Sequence, residues 1–548
     1  MSRSEGTDRM PLAGQTTPPV RYALRGRIVT MDDADTVLDD GVLYLSGDTV
    51  TAVLPADAPP PEGFQAVAVL ATGGTVYPGL IELHNHLPYD VLELWQVPKH
   101  YSNRSQWGGT PEYHRLVTGP MTALGQDPRL MPAVVRYVEA KALVNGTTTS
   151  QGIALFSNAG ARRMYRGLVR NVEQTDDPLL PEAASRIADV EAADATRFLA
   201  RLNQPHRLLL HLAEGTDAAA RAHFQALQYQ PGQWAITENL VGIHCTALTA
   251  EDFKVLADHG GSMVWSPLSN LLLYGQTADI AGAKRAGVRI GLGSDWSVSG
   301  SKGLLGELKA ARLASGAAGG VFSDQELVAM ATSGGAAILG WQQKLGSLQA
   351  GRYADLLVIA GTGGDPYTHL IDVQNGQISL VVIAGTPRYG TADLMQALVP
   401  VELLEAPGTT APEDHRLNLH DDAADPVVAG LTLAEATTRL STALADLPNH
   451  VPGAHVQERT DGAPQWRLAL DEIQPTGAEL RPRLPLPDDS GRPSGPVLPQ
   501  LAAAHPDGLT ALTLDRLTAS HDEGFIQLLT AETNLSPAYR SALAALLG

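Results

Sequence analysis

The 548-residue sequence contains a single cysteine, Cys245. An intramolecular disulfide is therefore excluded, which suits a reducing, cytoplasmic setting. Cys245 follows His244 in an apolar run and reads as a small core residue. Lysine is scarce: Lys99, Lys141, Lys254, Lys284, Lys302, Lys309 and Lys344 are all there are. No run approaches the roughly 20 apolar residues of a membrane span. The first twenty residues have no apolar h-region, so they read as a polar, disordered leader rather than a secretory signal. Net positive charge is also missing. The formal charge is -20, and such a surface repels phosphate backbones, which argues against nucleic-acid binding. From Val401 onward there are 21 acidic residues against 9 arginines. This bias reads as a solubility feature of a C-terminal extension lying away from the rest. No internal repeat of fixed period is present.

Ordered alternation is what the chain does have. Short strands punctuated by Gly and Asp fill residues 21–71, and a similar pattern returns in 346–395. Together they predict a small β-sandwich built from segments before and after a central domain. Between them, residues 72–345 alternate apolar strands with amphipathic helices, the pattern of a parallel sheet with helices outside. A (β/α)₈ barrel of roughly 250 residues fits that span. Two strands, TTTSQG and GLVRNVE, are expected after His86, and a helix from PEAASRIADVEAADATRFLARLN. SMVWSPLSN is expected as the seventh strand, with Ser269 and Asn270 at its end. Residues 87–124 show little periodicity and read as a long loop overhanging a site. Residues 396–548 are expected to form a mainly helical appendage with a proline-rich connector.

Metal-binding side chains stand where the apolar runs stop. His84 and His86 end TVYPGLIELHNH. His211 and Glu214 lie in RLLLHLAEG, His244 in LVGIHC and Asp295 in RIGLGSD. Residues from several strand ends converging on one rim is how a (β/α)₈ barrel assembles its site. Two histidines two residues apart on a strand face the same way and can chelate one ion. Imidazoles with a carboxylate suit Zn²⁺, or Fe²⁺, with a position left for water whose pKa the ion lowers toward about 7.

In order, PGLIELHNH, HLAEG, GIHC, SPLSN and GLGSD resemble the amidohydrolase superfamily. They are most similar to its cytosine deaminase, adenosylhomocysteine deaminase and triazine hydrolase branch. The resemblance covers about residues 21–390. It implies that His84, His86, His211 and Asp295 hold one metal. It also implies that His244 contacts the water or substrate and that Glu214 moves protons. Asp295 would serve in catalysis as well as in binding. The activity implied is hydrolysis of a non-peptide carbon–nitrogen bond, with deamination of a cyclic amidine or aminated heterocycle as the leading case. Ring-opening or amide hydrolysis and dechlorination remain open, as do a dinuclear site bridged by Glu173 and a non-catalytic barrel serving as a scaffold. GLVRNVE, taken as the fourth strand, carries no lysine to bridge two ions. Arg170, Asn171, Glu173, Ser269, Asn270, Trp296, Ser297 and Lys302 are candidate substrate readers. The eighth-strand loop, SDWSVSGSKG, departs from the branch's pattern, and Trp296 would reshape the pocket. A small-molecule substrate is the expected partner, without nucleic acid or membrane, and homo-oligomerisation is left open.

Overall fold

The structure, a computed structural model, describes residues 20–157, 160–186, 195–408, 412–449, 465–470 and 508–548, with two short strands at Leu486–Pro487 and Pro493–Ser494. The expected leader, the middle of the helix expected over 181–203, and most of the proline-rich connector lie outside the described residues. No helix among them is long and apolar enough to cross a membrane.

Eight short parallel strands carry the central domain. Leu80–Ile81, Thr147–Ser150 and Arg170–Asn171 pair in one sheet. Ala183–Arg186, Arg207–Leu212, Leu240–His244, Ser262–Trp265 and Arg289–Leu292 pair in a second. The two sheets abut through a few backbone bonds. Ala183 N–H donates to Val172 O at 2.8 Å on one side, and Leu83 N–H to Leu292 O at 3.3 Å on the other. Helices lie between successive strands, as at Met131–Val144, Ala218–Gln225 and Ala250–Asp258. The last is started by a reciprocal Thr249–Asp252 capping box and followed by Gly260 at φ 79°, the termini expected from its sequence. This is a TIM-barrel-type α/β fold.

Alternation along each strand sorts the side chains. Leu209, Val241, Ile243 and Val264 pack in an interior cluster. Leu208, Leu210, Met263 and Trp265 pack in the surrounding cluster that includes helix residues. His211 shares the parity of Leu209 and so faces inward.

Three expectations need correction. The fourth parallel strand is Ala183–Arg186, inside the segment expected to be helical, and helix begins only at Ala195. GLVRNVE therefore carries the third strand, not the fourth. The true fourth strand, AASR, also has no lysine. Second, the seventh strand stops at Trp265, and Pro267–Tyr274 is a helix with proline in its first turn and Gly275 at its end. Ser269 and Asn270 are therefore helical. Third, residues 87–126 are not one loop. A 3₁₀ turn at Leu87–Val91 is followed by helix from Pro111 to Gln126, with a π-helical turn at His114–Thr118.

The segments flanking the barrel hydrogen-bond directly into one nine-stranded sheet, where Val69–Pro78 pairs antiparallel with Leu356–Ala360. The C-terminal residues do not stand apart. Leu404–Glu405 and His415–Asn418 extend that sheet. Trp466–Leu468 pairs with Ala154–Ser157. Asp515 and Asp522, part of the acidic bias expected to serve solubility, are buried.

Candidate active site

The regular ladder of the first strand ends at Ile81. The chain beyond it is held against the eighth strand by two backbone bonds, Asp295 N–H to His84 O at 2.9 Å and His86 N–H to Asp295 O at 2.6 Å. This approach needs glycine at 293, where a Cβ would lie 2.5 Å from His84 Cβ. His244 and Asp295 adopt left-handed backbone, at φ 69° and 68°. For non-glycine residues that conformation is strained and concentrates at functional sites. It also breaks the alternation of the sixth strand, turning His244 toward the rim.

Six side chains meet there. His84, His86 and His211 offer ligand atoms within 4.8 Å of one another, as do His84, His244 and Asp295, and His211, Glu214 and His244. His84 and His211 stand 4.7 Å apart by ring centre, and His86 and His211 5.4 Å. Asp295 Oδ1 lies 3.0 Å from His84 Nε2 and 3.6 Å from His86 Nε2. Among the described residues, these overlapping triads form one centre. Glu173 is in none of them; its Oε2 accepts from Gly152 N at 2.7 Å.

Hydrogen bonds fix what each imidazole presents. Gln151 Oε1 accepts from Asn85 N–H at 3.0 Å, so it is an acceptor toward His84 Nδ1 as well, also at 3.0 Å. His84 Nδ1 therefore carries a proton, and in the neutral ring Nε2 is a bare lone pair. That buried atom has no hydrogen-bond partner among the described residues, yet it faces a carboxylate oxygen at 3.0 Å. Two acceptors so close repel unless a cation lies between them, and the donor set fits a divalent metal. Ser269 Oγ donates to the other carboxylate oxygen of Asp295 at 2.6 Å.

His244 presents the opposite face. Trp265 Nε1, which can only donate, bonds Thr277 Oγ1 at 2.6 Å, and Thr277 donates to Asn270 Oδ1 at 3.3 Å. Asn270 Nδ2 then points at His244 Nδ1 at 3.0 Å. His244 Nδ1 accepts, so Nε2 carries the proton, 3.9 Å from Glu214 Oε2. His244 thus supplies a donor where His84 supplies a lone pair.

Burial pushes the His211 pKa well below its ordinary value, and the neighbouring imidazoles push it further. Burial likewise lowers His244. Both are therefore neutral near pH 7. Burial alone raises the Asp295 pKa, and only positive charge beside it, on His84 first, brings the carboxyl below the usual range. Glu214 accepts from Tyr274 OH at 2.7 Å and from Arg104 Nη1 at 3.4 Å. Tyr274 stays protonated because burial, with Glu214 beside it, raises its pKa well above the ordinary value. Trp107 Nε1 in turn donates to Tyr274 OH at 3.1 Å. Residues 102–107 thus lie over the end of the fifth strand, as expected of an overhanging segment.

The remaining candidates divide. Trp296 packs on His86, ring centres 5.2 Å apart, and is not among the residues lining the cleft beside it. Glu173 lines the cleft beside His86 and His211. Arg170 instead pairs with Asp355 at 2.9 Å. Ser297 bonds Asp90 and Leu92 O, and Lys302 is buried in a separate ion cluster. Asn171 Oδ1 caps Glu173 N. Sequence reasoning missed Gln151 and Tyr274; Arg104 lies in the segment expected to overhang the site, and its contact with Glu214 was not foreseen. Gln151 ends an apolar-flanked strand in TTTSQG, and that position was its one signal.

Comparison with known proteins agrees with the motifs. The model of the amidohydrolase family matches residues 210–388. The 5-methylthioadenosine/S-adenosylhomocysteine deaminase of Teredinibacter turnerae is 25% identical over 394 residues, 65% of this chain and 89% of that protein. Its counterpart from Syntrophobacter fumaroxidans is 26% identical over 414 residues, 66% and 88%. A zinc-bound adenosine deaminase from Xanthomonas campestris superposes with a TM-score of 0.54 at 20% identity, over 77% of this chain and 98% of that one. A triazine hydrolase variant gives 0.52 at 19%, over 77% and 99%. The protein resembles the amidohydrolases, enzymes built on a TIM-barrel-type fold, and among the curated proteins it is similar to deaminases.

Proposed function

We propose that the protein is a metal-dependent hydrolase that deaminates a cyclic amidine or aminated heterocycle. The observation carrying this reading is the lone pair of His84 Nε2 facing Asp295 Oδ1 across 3.0 Å, beside an imidazole donor and a carboxylate. His84, His86, His211 and Asp295 would hold one divalent ion, Zn²⁺ before Fe²⁺. Such an ion supplies Lewis acidity and lowers the pKa of water toward about 7. Asp295 accepts a proton from the attacking water. Glu214, held by Tyr274 and Arg104, delivers a proton to a ring nitrogen or the leaving amine. His244 donates from Nε2 toward negative charge developing on the substrate. Trp296 and residues 102–107 restrict water at the rim. The working unit would be residues 72–345 as a (β/α)₈ barrel, with 21–71 and 346–395 as its β-sandwich. The deaminase names of the curated relatives support the reaction class.

The test is elemental analysis of protein purified without added metal or chelator, followed by an ammonia-release screen on aminated heterocycles. About one zinc or iron per chain is expected, and Asp295→Ala should lose it. Glu214→Gln should keep the metal while turnover falls at least 100-fold, the scale of general acid–base catalysis. Two ions per chain would favour a dinuclear amidase. No metal uptake would remove the enzyme reading.

A further inference from the structure

The cleft beside the candidate metal centre has one wall supplied from far along the chain. His86, His211 and Glu173 line it, as do Arg162, Met164, Ala469 and Leu470. Ala469 and Leu470 lie outside the 210–388 span matched by the family model. They are held in place by backbone. Trp466, Arg467 and Leu468 pair with Ser157, Phe156 and Leu155, and Ala469 N–H donates to Ala154 O at 2.8 Å. Packing fixes the same segment. The Arg163 guanidinium lies 4.2 Å over the Trp466 ring. Leu468 is buried against Gly125, where a Cβ would come within 3.1 Å of it. The next two residues, which line the cleft, therefore follow directly on a segment held by strand pairing.

The residues lining the cleft differ in chemistry. Glu173 and the two imidazoles can hydrogen-bond a reacting ring. Ala469 and Leu470 offer no polar side-chain atom, so they recognise only by burying apolar surface. We propose that Ala469 and Leu470 form the specificity wall of the cleft and select a substrate whose aminated ring carries a compact apolar substituent. The proposal rests on the metal-dependent reading above and deepens it. A hydrophobic pocket discriminates one methylene by roughly 10-fold or more, which sets the size of the expected effect.

The experiment uses full-length protein loaded with Co²⁺, whose visible absorption reports binding at the ion. The probes are 1,2,4-triazole and 3-propyl-1,2,4-triazole. The unaltered protein should bind the propyl compound at least 10-fold more tightly. In Leu470→Ala that preference should shrink several-fold, while affinity for triazole itself stays unchanged. Ala469→Leu, which adds bulk to the same wall, should reverse the preference with the Co²⁺ spectrum unaltered; it decides the matter if Leu470→Ala does not fold. Equal preference in the unaltered protein and both variants, with triazole still bound, would overturn the wall and leave the metal site standing. Failure to take up Co²⁺, or triazole leaving its spectrum untouched, would remove the metal-dependent reading and this inference together.

Discussion

Two clusters of buried charge lie on this barrel, and they are satisfied in opposite ways. In one, Lys302 Nζ lies 2.5 Å from Asp515 Oδ1 and 2.6 Å from Asp522 Oδ2, while Lys141 Nζ lies 2.5 Å from Asp515 Oδ2 and 2.7 Å from Asp90 O. Two cations meet two aspartates, and the cluster closes on itself. Burial would lower the Lys302 pKa, yet its aspartate partners raise it. In the other cluster, His84 Nε2 and Asp295 Oδ1 stand 3.0 Å apart, and the imidazole nitrogen has no hydrogen-bond partner among the described residues. A cluster that closes on itself reads as architecture, whereas one that leaves acceptors converging on a point reads as a place for a guest. The sequence drew attention to Lys302 as a substrate reader because it follows the eighth strand, but its partners lie more than two hundred residues later.

The largest effect that would break this comparison concerns the closed cluster. Asp515→Ala leaves Lys141 and Lys302 buried without their shared carboxylate, and removing one partner of a buried pair costs about 3–5 kcal/mol. Chemical denaturation should show that loss, while metal content of the folded fraction stays at the unaltered level. If the variant instead lost metal with stability intact, the two clusters would be one functional unit and the division drawn here would fail.

A smaller effect would sharpen it. The chain Trp265–Thr277–Asn270 delivers a donor to His244 Nδ1 and so leaves the proton on Nε2. Asn270→Asp reverses that polarity, because a carboxylate can only accept. The proton then moves to Nδ1 and His244 loses its donor toward the substrate. Turnover should fall by roughly 10- to 100-fold, as for other residues that orient a site imidazole, with metal content unchanged. Turnover equal to that of the unaltered protein would show that the His244 tautomer does not matter to the chemistry.

What could be read from the sequence follows the same division. The rim residues His84, His86, His211, Glu214, His244 and Asp295 were visible because each ends an apolar run, and the barrel brings strand ends together. The fourth strand, AASR, was hidden because it is short and opens a segment whose apolar spacing is helical. The helical start at Pro267 was hidden because the apolar run SMVW passes directly into SPLSN. Asn270 was noticed as a polar residue near the rim, but its partner could not be. Tyr274 and Arg104 reach Glu214 from different segments, and no local pattern announces such contacts. The C-terminal residues misled for the same reason. Their acidic composition suggested a solvated appendage, whereas Asp515 and Asp522 owe their burial to lysines distant in the chain.

The smallest expected effect sits on the helix Leu304–Ala317. Glu307 is buried and accepts from Ser301 Oγ and from Leu268 N–H. Burial pushes its carboxyl up to about 8, from an ordinary value of 4.5, and those hydrogen bonds offset only part of the rise. Its folded pKa thus exceeds its unfolded one, so between pH 4.5 and about 8 the folded state binds the extra proton. The resulting stabilisation is fully present below the unfolded pKa and is lost as pH rises through the folded one. Glu307→Gln keeps the shape and removes the titration. Denaturation midpoints measured from pH 5 to 8.5 should therefore fall with pH more steeply for the unaltered protein than for Glu307→Gln. Parallel slopes would mean that Glu307 titrates alike in both states, and that it joins neither cluster as a buried, protonated acid.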